Sequence, residues 1–175
     1  MHHAANLKRT GLTLGLVMLL VLVLVPVLVR AQEGPAVEVR PPWQSQFPVL
    51  NRVDLLVGET PLVVELSDEP WERGRGLSYR WGLRPGTGML FESDNDAPRS
   101  YWMKGMRFCL DIIWIDDGEI KGAAENACPD PEMTEDADRE RFSSGESVQY
   151  VLEMPAGWMA EHGYGPGTPV EGIPE

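Results

Sequence analysis

The sequence predicts a mostly β (α+β) domain, a small barrel-like sheet with two short helices, behind an N-terminal transmembrane or signal segment. Three observations carry this expectation. From Val53 onward, short runs rich in β-branched, Leu and aromatic residues recur between glycines and prolines, several of them alternating with a period of two. Helix start and stop signals occur at only two places, after Pro70 and after Pro155, and both stretches are short. Ahead of all this stands one uncharged apolar run at residues 12–29.

That run follows Lys8 and Arg9, and only Thr13, Gly15 and Pro26 relieve its bulk. As a helix its 18 residues would extend about 27 Å, close to the hydrocarbon thickness of a bilayer. The length, and the lack of a small-x-small cleavage site, favour a signal anchor over residues 1–31. The alternative is a signal peptide cleaved near Ala31. Either way the basic residues stay inside and the remainder lies outside the cytoplasm. Residues 32–52, with Pro35, Pro41, Pro42 and Pro48, read as an extended tether, whose Trp43 and Phe47 suit docking onto the domain, with the membrane interface as the alternative.

The single domain is expected over residues 53–175. Residues 53–57 and 62–66 form two strands around a Gly58-Glu59-Thr60-Pro61 turn. Ser67-Asp68-Glu69-Pro70 starts a helix that Gly74 and Gly76 end. Met89-Leu90-Phe91 leads a further strand, and Asp94-Asn95-Asp96 with Pro98 makes a loop. Residues 100–116 read as the central strand, which turns at Asp117-Gly118 into a return strand at 119–127. Residues 129–147 form a long acidic loop, 148–154 a strand, 155–162 a short helix stopped by Gly163, and 168–171 a closing strand. There is no internal repeat and no βαβ alternation.

Charge narrows the partners. Lys8, Arg9 and Arg30 are the only charged residues of the leader, so the remainder carries 12 basic against 27 acidic residues, a net −15. Such a surface repels phosphate backbones, which argues against nucleic-acid binding. The acidic run from Asp130 to Glu140 lacks the ligand spacing of a calcium loop and reads as a solvated surface, so no metal is expected. His162 is the only histidine beyond the leader, and no serine sits in a nucleophile motif. A cofactor is not expected either, since Gly74-Arg75-Gly76 follows a helix where a dinucleotide loop follows a strand.

Four motifs in order resemble a family of uncharacterised exported proteins, the domain of unknown function 192, over residues 55–172. They are Gly76-Leu77-Ser78-Tyr79-Arg80, Gly88-Met89-Leu90-Phe91, Trp102-Met103-Lys104 with Leu110-Asp111, and Glu153 with Pro155-Ala156-Gly157. The chain departs from the family pattern at Ser78, at Gly105-Met106, where Asn-Thr is usual, at Cys109, where Pro is usual, and at Thr168. The resemblance implies a compact, mostly β domain, often behind a signal or anchor, with no established activity.

The candidate ligand-binding residues are Arg80, Trp102, Lys104, Asp111 and Glu153. Together, the cations would grip a carboxylate or phosphate while Trp102 offers a stacking face, which also suits a sugar ring. The plainer alternative pairs Arg80 with Asp111 or Glu153 as a structural ion pair. Cys109 and Cys128 are the only cysteines, in an oxidising compartment. A two-residue turn at Asp117-Gly118 sets Cys109 opposite Asn126, so a bridge to Cys128 requires a turn two residues longer or an equivalent register shift, and the alternative is two small buried thiols. The leading functional expectation is a membrane-tethered ligand-binding or structural module of the cell envelope. The rival is a carboxylate-dependent hydrolase or transferase acting on a saccharide, with Asp111 and Glu153 as acid and base.

Overall fold

A computed structural model describes residues 50–174; the leader and most of the tether lie outside the described residues. Seven strands form one sheet: β1 (Arg52–Val57), β2 (Thr60–Ser67), β3 (Thr87–Tyr101), β4 (Leu110–Asp116), β5 (Glu119–Ala127), β6 (Phe142–Pro155) and β7 (Val170–Glu171). Their spatial order is β5-β4-β6-β3-β2-β1-β7. Every pairing is antiparallel except β2 with β3, which run parallel and are joined through helix α1 (Pro70–Arg75). One βαβ unit is therefore present where the sequence suggested no such alternation. The sheet curls into a half-barrel, and residues 167–170 tie its two edges. Val170 N donates to Gly118 O at the head of β5, and Gly58 N at the end of β1 donates to Pro169 O.

Alternation along the strands divides the apolar side chains between two faces. Ile113, Ile115, Leu152, Met154, Leu90 and Val64 gather on one face with Trp158 and Met159 of helix α2 (Trp158–His162). Ile112, Trp114, Val151, Met89 and Phe91 gather on the other with Leu50, Leu77 and Met103. Both faces of β4 are buried, which explains why this strand reads as an almost continuous apolar run. Gly88 permits the close approach of β3 to β6, since a Cβ there would stand 2.6 Å from Glu153 O and 2.5 Å from Met154 Sδ.

Two expected boundaries move. The stretch read as one central strand is split: Tyr101 ends β3, and residues 102–109 form a loop with a turn closed by Met106 N on Met103 O. Gly105, at φ +72°, supplies the left-handed residue of that turn. β6 also begins earlier than expected, because residues 142–148 pair with the outer part of β3 across two register irregularities. The Asp94-Asn95-Asp96 segment accordingly lies within a long strand. Its polar composition reflects solvent on an extension of the sheet that has no core beneath it.

Helix α1 carries a capping box. The Glu72 carboxylate accepts from the backbone amides of Asp68 and Glu69, and Pro70 occupies the first turn. Helix α2 begins at Gly157, whose left-handed conformation (φ +85°) comes with no capping side chain, so the cap has to come from elsewhere in the fold.

Candidate functional site

The cap comes from Asp111. Its Oδ1 accepts from Gly157 N at 3.1 Å and Asn126 N at 2.9 Å, and its Oδ2 from Met159 N at 2.9 Å. A fully buried carboxylate on β4 thus holds the start of α2 and a bulge in β5 in one grip. With its oxygens engaged by backbone, Asp111 ties the scaffold together and does not meet the other candidate residues.

Glu153 lies elsewhere because of strand parity. In the β4–β6 ladder Ile112 faces Glu153 and Asp111 faces Met154. Directly paired residues share a face and successive residues alternate, so Asp111 and Glu153 project from opposite sides of the sheet. The two carboxyls cannot flank one scissile bond.

Across the sheet, Glu65, Met89 and Glu153 occupy one row on the face of Glu153. Arg80 reaches over this row and grips Glu65 with two parallel bonds of 2.7 and 2.8 Å. The sequence placed Arg80 in an ion pair with Asp111 or Glu153; its bidentate partner is Glu65, two strands from Glu153. The Arg80 charge still acts on Glu153, opposing its neutral form.

Glu153 is 5 % exposed, and among the described residues its carboxyl makes no hydrogen bond or ion pair. It forms the floor of a cavity of about 490 Å³ enclosed by the end of α1, residues 76–78, the outer part of β3, Trp102 and Met106. Burial pushes its pKa up to about 8, against the pull of Arg80, so at neutral pH the group is mostly a neutral acid. Tyr101 lines the same cavity. Burial raises its phenol well above the ordinary range and Glu153 adds to the shift, while Arg99 and Arg73 oppose it. Both arginines line the cavity and are anchored to backbone: Arg73 Nη1 bonds Glu92 O at 3.0 Å, and Arg99 Nε bonds Val148 O at 3.0 Å. Carbonyl partners orient a guanidinium and leave its charge in place. Arg73 has one acidic partner, the highly exposed Asp94 at 3.7 Å, and Arg99 has none among the described residues.

Trp102 lies at the cavity wall with cations against its ring, Arg141 at 3.9 Å and Lys104 at 5.1 Å from the centroid. Lys104 is turned toward the acidic loop, where its Nζ pairs with Asp136. Arg139 also bonds Asp136 and Asp130, so the loop expected to be simply solvated is organised around two cations. Hydrogen bonds from Lys104 and Arg139 hold the Asp136 carboxyl below its usual range.

Cys109 and Cys128 form a disulfide, and the required register shift is present. Asp116 pairs with Glu119, but irregularities on either side of residues 112–114 leave Leu110 opposite Ala127, which brings Cys109 beside Cys128. His162 closes α2, its Nδ1 2.9 Å from Trp158 O, and stacks on Tyr164.

Of the five candidate ligand residues, the structure brings Glu153 and Trp102 to one cavity and sends Arg80, Lys104 and Asp111 to carboxylates or backbone. Residues that sequence reasoning missed complete the cavity: Arg73, Arg75, Arg99 and Tyr101. The signal for the first two was the Arg73-Gly74-Arg75 run at the end of a capped helix. For Arg99 and Tyr101 there was none, because the stretch around them read as a loop and a core strand.

This geometry defines a mostly β domain with a half-barrel sheet and a surface cavity that is basic at its walls and floored by a buried carboxyl. The chain belongs to the domain of unknown function 192 family, described as an uncharacterized ACR, whose family model matches residues 54–172. Two solved structures are similar. One is a protein from Sinorhizobium meliloti 1021, provisionally named a transcription regulator, at 38 % identity over 69 % of this chain and 92 % of that chain, with a TM-score of 0.60. The other is a protein of unknown function from Novosphingobium aromaticivorans DSM 12444, at 29 % identity over 70 % of this chain and 86 % of that chain, with a TM-score of 0.61. No curated protein matches the chain.

Proposed function

We propose that this chain is an exported, membrane-tethered domain that binds a small anionic ligand in the cavity floored by Glu153. The observation that carries the reading is a buried carboxyl with no hydrogen-bond or ion-pair partner among the described residues, facing a cavity walled by backbone-anchored arginines. A buried polar group left unpaired costs roughly 1–3 kcal/mol, a cost that folding alone gives no reason to keep. The arginines supply local positive charge on a domain whose net charge is −15, so an anion gains attraction here that it lacks elsewhere on the surface. Export is supported by the 18-residue uncharged run behind Lys8 and Arg9 and by the Cys109–Cys128 disulfide.

The saccharide-cleaving alternative loses its support with the opposed orientations of Asp111 and Glu153. A nucleic-acid role, suggested only by the name of the Sinorhizobium protein, is disfavoured by the acidic surface. The test is a thermal-shift panel on the full chain in mild detergent, with small carboxylates, phosphates and neutral polyols. Saturable stabilisation by members of the anion set supports the reading, and its absence across the whole set refutes it.

A further inference from the structure

The character of the cavity surface narrows the ligand beyond its charge, on the premise that the cavity is the binding site. Its basic groups and its neutral polar groups are different residues. Arg73, Arg75 and Arg99 contribute guanidinium groups, and Glu153 contributes a carboxyl within the enclosed floor. Tyr101 adds a phenol, and Ser93 and Ser100 add hydroxyls. Among the described residues, neither the Glu153 carboxyl nor the Tyr101 hydroxyl has a hydrogen-bond partner. Hydroxyl groups and a protonated carboxyl each donate one hydrogen bond and accept others, the same capacity that a ligand hydroxyl presents. Phe91, Leu77, Met106 and Trp102 supply apolar wall, which suits the C–H faces of a carbon skeleton. A volume near 490 Å³ is within the range of sites for small organic molecules and would be left mostly empty by acetate or inorganic phosphate.

We infer that the ligand is a polyhydroxylated anion, a sugar acid or sugar phosphate, seated with hydroxyls on Glu153 and Tyr101 and its charged group among the arginines. Glu153 is then the residue that discriminates hydroxylated from simple anions. The charge that acts on it directly is Arg80 from residues 76–80, itself paired with Glu65 on β2; Tyr101 on β3 lies within its field, and Arg73 and Arg75 from α1 and Arg99 from β3 line the same cavity. Once Glu153 ionises, the floor carries a negative charge that competes with the ligand for these cations. Affinity for the ligand therefore falls as pH rises past the titration of Glu153.

The test is calorimetric titration of the full chain in mild detergent with gluconate, galacturonate, glucose 6-phosphate, acetate, inorganic phosphate and glucose. At about pH 6.5, at least one hydroxylated anion is expected to bind about tenfold or more tighter than acetate, phosphate and glucose. The affinity for that anion should fall by about pH 9 in the native chain and hold there in Glu153→Gln, which keeps a neutral polar floor. Glu153→Leu and Tyr101→Phe should each lose the preference while still binding the simple anions. Equal affinity for acetate or phosphate and the sugar anions would overturn this inference and leave anion binding standing. Equal affinity for glucose and the sugar anions, or no binding by any of the six, would overturn the anion-site reading with it. A preference undiminished in Glu153→Leu would remove Glu153 from the role assigned to it.

Discussion

Replacing Glu153 by Gln is expected to stabilise the domain at neutral and alkaline pH and to flatten part of its pH–stability profile. In the unfolded chain Glu153 gives up its proton near its ordinary value of 4.5, and in the folded state it holds the proton until about pH 8. Between those two values the folded state binds more protons than the unfolded one, so stability falls as pH rises, by about 1.4 kcal/mol per pH unit. Across the whole window the penalty is roughly 5 kcal/mol, and at pH 7 it has reached roughly 3 kcal/mol. Glutamine does not titrate and carries no such penalty. Guanidinium unfolding of the native chain and Glu153→Gln, followed by the fluorescence of the buried Trp114 and Trp158, gives both profiles. Every other carboxylate is common to the two proteins, so their difference isolates Glu153. The advantage of the variant should grow steadily from about pH 5 to about pH 8 and level off above. A difference that stays constant over that interval would show that Glu153 ionises like an ordinary carboxyl, and the neutral cavity floor would have to be abandoned.

Three further outcomes are expected. Asp111→Ala strands the amides of Asn126, Gly157 and Met159 and should cost about 4 kcal/mol, read as a lowered denaturation midpoint with early loss of the α2 signal from Trp158. Reducing the Cys109–Cys128 bridge, or replacing both residues by Ser, should cost about 3 kcal/mol, seen by comparing unfolding with and without reductant. Gly88→Ala places a methyl against Glu153 O and should cost about 2 kcal/mol by forcing β3 from β6, measurable as faster amide exchange in the pair as well as lower stability.

The sheet-forming runs were legible because burial on one or both faces leaves a periodic record. β1, β2, β4 and β5 begin or end within a few residues of where alternation and turn residues put them, and Asp117-Gly118 marks its hairpin. The outer parts of β3 and β6 were not legible. Residues 94–100 and 143–147 pair with each other between the core and the Tyr101–Phe142 pair, so hydrogen bonding holds them extended while solvent sets much of their composition. The same reason hid Arg99, which lies on that extension; Tyr101 was read within the strand at 100–116, and a core-strand pattern gives no sign of a phenol that opens onto a cavity. The parallel placement of β2 beside β3 was also unreadable, because α1 is only six residues long and leaves little helical periodicity.

The motif residues themselves divide by the geometry of the strand that carries them. Glu153 and Pro155-Ala156-Gly157 stand within five residues of one another, yet they act on opposite sides of the sheet. Gly157 offers its amide to Asp111 and so anchors α2 over one apolar face. Glu153 turns to the other face, between Met89 and Ile112, and finds a cavity where its neighbours find core. An apolar residue at position 153 would continue the core row that Met89 and Ile112 begin, and would remove a desolvation cost of several kcal/mol. Packing therefore accounts for Asp111, which holds three amides, and does not account for Glu153, which holds none among the described residues. The carboxyl that the scaffold does not use is the one that opens onto the arginine-walled cavity, and it is there that a ligand would supply the missing hydrogen bonds.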